Sequence, residues 1–206
     1  MKSITKNKLV ASLIAISGLV AGVPAAQAQD TGFYAGIGVG RSDLKDACTG
    51  VTIPCDDTDT GWKLFGGYQF NKYLGAELGY VDLGRATARG TLLGVAVSAT
   101  AKAKGWEFLG VGTLPIADKF SAYGKAGLFR WDLDVSATGV VPGFAPVAVS
   151  TSDKGTDFTF GIGLKYDFTK SIGARVEWQR YKDIGNDATT GKSDVDLLSV
   201  GVVFKF

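Results

Sequence analysis

The chain has no histidine among its 206 residues. That absence removes the usual base of a nucleophilic active site and the commonest metal ligand. Carboxylates remain, and Asp56, Asp57 and Asp59 form an acidic run of calcium-compatible type. Such a run reads first as a solvated loop face. The chain is therefore read as carrying no enzyme activity, cofactor or metal. Cysteine is limited to two residues, Cys48 and Cys55. An excess of one charge sign is also missing, with 22 basic residues against 20 acidic ones, and nothing points to nucleic acid. Finally, beyond residue 28 no apolar run approaches the roughly 18 residues that a spanning helix needs. That excludes a helical membrane protein. It leaves a closed barrel open, because a barrel satisfies its backbone without helices.

Residues 1–28 read as a secretory signal. Lys2, Lys6 and Lys8 make the positive start, residues 9–23 the apolar middle, and Ala26-Gln27-Ala28 a small-x-small cleavage site. Ser12, Ser17, Gly18, Gly22 and Pro24 would make a poor spanning helix. Residues 29–206 are then a single domain, with 19 of the 22 basic residues left against 20 acidic ones.

The stretch Trp62–Leu83 organises the rest. It predicts two strands of about ten residues around a turn at Asn71-Lys72. Trp62, Leu64, Tyr68 and Phe70 alternate with Lys63, Phe65, Gly67 and Gln69; Leu74, Ala76, Leu78 and Tyr80 alternate with Gly75, Glu77 and Gly79. One face carries the bulk, while the other is mostly glycine with a single acid or base per strand. In water the glycine face makes a poor exterior. As the lining of a narrow barrel in lipid it fits, with large apolar residues meeting acyl chains.

The same contrast recurs. Phe33, Ala35, Ile37 and Val39 oppose Tyr34, Gly36, Gly38 and Gly40; strict alternation with no following helix argues against a dinucleotide loop there. Phe158 through Phe168 oppose Thr159, Gly161, Gly163, Lys165 and Asp167. Ile172, Ala174, Val176 and Trp178 oppose Gly173, Arg175, Glu177 and Gln179, and a last strand presents Leu198, Val200, Val202, Phe204 and Phe206. Further strands are expected over about 101–114 and 120–135. In the former, Leu109 and Val111 share a parity with Glu107, which suggests a bulge or slip.

The stretches 84–100, 136–155 and 182–194 read as loops, as does the polar segment 42–59 that holds both cysteines. In an exported chain Cys48 and Cys55 are expected to pair within that loop, the alternatives being a metal pair or free thiols. Eight strands with short turns at one end and four loops of roughly 13 to 20 residues at the other spell an eight-stranded antiparallel up-and-down transmembrane β-barrel. Phe33, Tyr68, Phe70, Tyr166, Phe168, Phe204 and Phe206 would form its inner aromatic girdle. The soluble rival is a lipocalin-like barrel, which would turn the phenylalanines inward and leave glycine outside.

GGYQFNKYLGAELGYVDLGR, LPIADKFSAYGKAG and RVEWQRYKDIGND with LLSVGVVFKF resemble the OmpA-like transmembrane barrel family, in order and spacing, across the mature chain. The resemblance implies a location in the outer membrane of a Gram-negative bacterium. Larger members add a periplasmic peptidoglycan-binding domain, and that function does not carry over to residues 29–206. The resemblance also implies a lumen closed by ion pairs, placing Glu77, Lys125, Arg175 and Glu177 inward, in agreement with their parity. Lys165 is an expected member where the family archetype has an acid, which leaves the pairing of acids with bases open. The implied partners are outer-membrane lipid and lipopolysaccharide, the barrel-assembly machinery that would read Phe206 as a C-terminal signal, and a host or phage surface ligand. A structural role, a surface-recognition role and a narrow channel all remain.

Overall fold

The computed structural model describes residues 31–45, 54–92, 95–140, 145–186 and 191–206. The expected signal segment and Cys48 lie outside them, so neither the cleavage nor the Cys48–Cys55 bridge is addressed by the fold. Nine strands are present among the described residues: β1 (Gly32–Leu44), β2 (Cys55–Asp56), β3 (Thr58–Gln69), β4 (Leu74–Leu92), β5 (Val95–Ala117), β6 (Phe120–Val140), β7 (Val147–Asp167), β8 (Ile172–Asn186) and β9 (Gly191–Lys205). Eight of them form a ring in which each pairs antiparallel with its sequence neighbour, and β1 closes onto β9 from Tyr34↔Lys205 to Leu44↔Val195. Closure removes the free strand edges that lipid cannot solvate. The short β2 is an addition, lying on the upper part of β4 through Cys55↔Ala88.

Bulky residues face outward, in keeping with the sequence parity. Ile37, Leu64, Phe108, Leu128, Ile162, Leu198 and Val200 are each more than half exposed on the isolated chain. An apolar surface this continuous belongs in a membrane. At the short-turn end it finishes in aromatic pairs, Phe33 against Tyr68 and Tyr166 against Phe168. At the other end Tyr80 packs edge-on against Trp106. One step above that pair the outward face becomes charged: Asp82, Lys104, Asp132 and Lys154 are successive register partners across β4 to β7. Lys154 meets Asp132 at 2.9 Å and Lys102 meets Asp82 at 3.0 Å. Charges on the outer face do not belong in hydrocarbon, so the lipid band ends between these rows.

The short turns are built by local side-chain capture. Asn71 Oδ1 accepts from the backbone of Tyr73 and Leu74, and Thr169 Oγ1 accepts from Ser171 and Ile172. At the third turn β5 continues through Pro115 to Ala117, with the register shifting between those residues. Proline has no N–H for the ladder, which accounts for the irregularity.

Several boundaries differ from the sequence reading. Stretch 84–100 is mostly hairpin, paired as far as Leu92↔Val95. Most of 136–155 is hairpin too, paired to Gly139↔Val147, and β8 and β9 continue to Asn186↔Gly191. Above the lipid both faces of a strand meet water, so the contrast that reveals a strand in the membrane disappears there. A bulge does occur, between Asp82 and Arg85. It is centred on Gly84, whose φ of +75° few other residues adopt. The bulge or slip expected near Glu107 is absent, and β5 stays in register with β6 from Ala96 to Pro115.

Candidate functional site

The inward face divides the lumen into three levels. The middle level is charged. Arg175 on β8 reaches across to β4, its Nη1 2.8 Å from Glu77 Oε1, while its Nη2 lies 3.5 Å from Glu177 Oε2. Its guanidinium stacks 3.4 Å above the Phe65 ring. Lys125 on β6 sits 2.8 Å from Glu177 Oε1 and 3.8 Å from both Glu77 Oε2 and Glu107 Oε1. Lys63 on β3 donates to Glu177 Oε1 and, at 2.6 Å, to Gln179 Oε1. Gln179 in turn donates to Glu107 Oε2 at 2.8 Å and Thr159 Oγ1 at 2.9 Å. Three acids thus face three bases, and all six are buried. Each charge needs the others, since an ion taken from water without a partner costs several kcal/mol.

Tyrosine hydroxyls complete the layer. Tyr34 donates to Glu77 at 3.1 Å, Tyr123 to Glu177 at 2.8 Å and Tyr181 to Glu107 at 3.0 Å. Glycine makes room for two of them. A Cβ at Gly67 would lie 2.4 Å from Tyr34 Cζ, and one at Gly163 would lie 2.5 Å from Tyr123 Cζ. The inward glycines that first marked this face therefore have a use: they let long polar side chains cross a narrow lumen.

Above the charges the lumen is apolar. Val81, Leu83, Phe129, Trp131, Leu133, Tyr181 and Leu197 pack there into one buried cluster. The Phe129 and Tyr181 rings meet edge-to-face with centroids 4.7 Å apart. Below the charges, at the short-turn end, lies a cavity of about 260 Å³ lined in part by Tyr34, Gln69, Asp167 and Lys205.

A family model described as an OmpA-like transmembrane domain matches residues 27–206. The chain belongs to that family. It is 34% identical over 205 residues to Outer membrane protein A of Salmonella typhi, covering 98% of this chain and 55% of that protein. Outer membrane protein A of Yersinia pseudotuberculosis is 34% identical over 206 residues, with 98% and 56% covered. The chain thus spans about half the length of these relatives. Among solved structures it is similar to Neisserial surface protein A, with a TM-score of 0.52, 15% identity, and 84% of this chain and 97% of that one covered; this likeness is one of fold. The molecule is an OmpA-like β-barrel of the outer membrane.

In this OmpA-like barrel the expected residues separate into two groups. Glu77, Lys125, Arg175 and Glu177 lie together in the charged layer. Lys165 does not join them: it lines the cavity below, 3.9 Å from Asp167 Oδ2. Two members of the layer, Lys63 and Glu107, were not among the expected residues. Lys63 was legible by parity alone, as the base between Gly61 and Phe65 on the inward face. Glu107 was hidden by Leu109 and Val111, two apolar residues on its own face that are themselves buried in the lumen. Phe206 donates its backbone N–H to Phe33 O at 2.9 Å, is largely exposed, and lies at the mouth of the short-turn cavity. The acidic run is engaged locally, Asp56 accepting from Thr58 and Asp59 from Thr60 and Arg85.

Proposed function

We propose that this barrel is a closed structural element of the outer membrane that contributes to envelope integrity, with its lumen plugged by ion pairs and without enzymatic activity. The observation that carries this reading is the stacking of two different seals. The buried charges of Glu77, Glu107 and Glu177 against Lys63, Lys125 and Arg175 are mutually neutralised, and an apolar layer around Phe129 and Leu197 lies directly above them. A solute crossing the barrel would have to break the first and hydrate the second. Lipopolysaccharide around the charged rim and the barrel-assembly machinery acting on Phe206 are the partners that fit this role. A Cys48–Cys55 bridge would stiffen the first long connection. In the test, the refolded chain is placed in planar bilayers and a deletion strain is challenged with detergent. The reading expects little conductance and a sensitised envelope. A large, steady conductance with an unaffected envelope overturns it.

A second reading is surface recognition of a host or phage ligand. It is favoured by the hairpins of β4–β5 and β6–β7, which continue well past the Asp82–Lys154 row. Deleting residues 136–150 separates the two, because binding would vanish while the barrel still folds.

A further inference from the structure

Near the short-turn end the sheet places two bases side by side. Lys165 on β7 and Arg175 on β8 are direct register partners, and both line the same cavity. Like charges directly opposite one another in a sheet repel. Neither is fully answered by the acids around it. Arg175 spends Nη1 on Glu77, while its buried Nη2 makes no hydrogen bond and only a looser ion pair with Glu177 Oε2 at 3.5 Å. Lys165 has its ion pair with Asp167 Oδ2 at 3.9 Å, and Lys205 occupies that same oxygen at 2.6 Å. Two ammonium groups therefore share one carboxylate oxygen. Lys72 and Lys205 join Lys165 and Arg175 in the lining, against the side chains of Glu77, Asp118 and Asp167.

The cavity of about 260 Å³ is large enough for a small anion with several waters. Ser121, the register partner of Lys165 on its other side, also lines it and adds a hydroxyl donor. We propose that this vestibule binds a small oxyanion, a carboxylate or a phosphate, held between the Lys165 ammonium and the Arg175 guanidinium. An oxyanion there turns a repulsive pair into two charge-assisted hydrogen bonds. The apolar layer above makes the site a blind one, entered from the short-turn end. The proposal goes beyond the structural role and does not depend on it.

The test uses the full barrel in an uncharged, phosphate-free detergent, with ionic strength held constant by chloride. Thermal unfolding is followed as sodium phosphate or sodium succinate replaces the chloride. Saturable stabilisation is expected, with Tm rising about 3–6 °C at a tenfold excess over Kd. Response to phosphate alone or succinate alone tells which oxyanion the site takes. K165E should lose the response and melt higher than the wild type in chloride, because it sets an acid opposite Arg175 in place of a second base. K170E, on the neighbouring turn and outside the lining, should keep the response. If K165E does not refold, wild-type amide shifts decide, since residues 165 and 175 should titrate together and residue 170 should not. Wild type without a saturable effect, or K165E with an undiminished one, overturns the proposal.

Discussion

Arg175 and Glu77 lie 98 residues apart in the chain and meet across the lumen with Nη1 2.8 Å from Oε1. The contact joins β8 to β4, strands that are not neighbours in the ring. It exists only because the barrel closes. Tyr34 approaches the same carboxylate oxygen, so three strands converge on one acceptor. Removing either charge leaves the other buried and short of a partner. Arg175→Ala is expected to destabilise the barrel by about 3–5 kcal/mol, and Glu77→Ala by a similar amount. Because the pair is direct, the double variant should cost less than the two singles together. Urea unfolding of the refolded chain in lipid vesicles measures all three, and strictly additive costs would show that the pairing contributes nothing.

The outward and inward faces of β7 should respond in opposite ways. Ile162 and Leu164 point at lipid, so arginine at either should cost about 2–4 kcal/mol near the bilayer midplane. Gly163 between them faces inward, where alanine meets the Tyr123 ring and pushes its hydroxyl off Glu177. Vesicle-based equilibrium unfolding of the three variants checks this. Arginine tolerated at 162 and 164 would invert the assignment of faces.

The apolar layer should behave like the core of a soluble protein. Phe129 is almost wholly buried against Tyr181, so Phe129→Ala is expected to cost about 3–5 kcal/mol. Conductance should stay low in this variant, since the charged layer below still closes the lumen. Planar-bilayer recordings of Phe129→Ala beside Phe129→Ala with Glu77→Ala test the two seals separately. Equal, large conductance in both would show that the charged layer is no barrier.

A bridge between Cys48 and Cys55 would close a ring of few residues. Replacing both with serine is therefore expected to cost about 2.5 kcal/mol, and to leave the barrel folded. Alkylation of the unfolded chain followed by mass spectrometry reports the bridge directly: thiols that react without prior reduction would show that it does not form.

Most of the architecture was legible from alternation. Lys63, Glu77, Lys125, Arg175 and Glu177 each share a face with glycine while large apolar residues take the other, and that contrast needs only a strand period and a lipid exterior. The spacing of Asn71 and Thr169 marked the short turns, because a side chain that captures its own backbone acts within a few residues. Where the contrast failed, tertiary structure decided. Residues 84–100 and 136–155 form strands because each hairpin finds a register partner above the membrane, where neither face is distinguished by its solvent. Glu107 is a lumen residue because closure brings Gln179 and Tyr181 within reach from β8, on the far side of the ring from β5. Leu109, Val111 and Phe129 point inward although they are as apolar as their lipid-facing neighbours, since a closed lumen packs with whatever fills it. Side-chain type in one strand tells which solvent a face prefers. Which charge meets which, and that Lys165 stands opposite Arg175 rather than opposite an acid, depends on strand stagger around the closed ring, a quantity that no single strand contains.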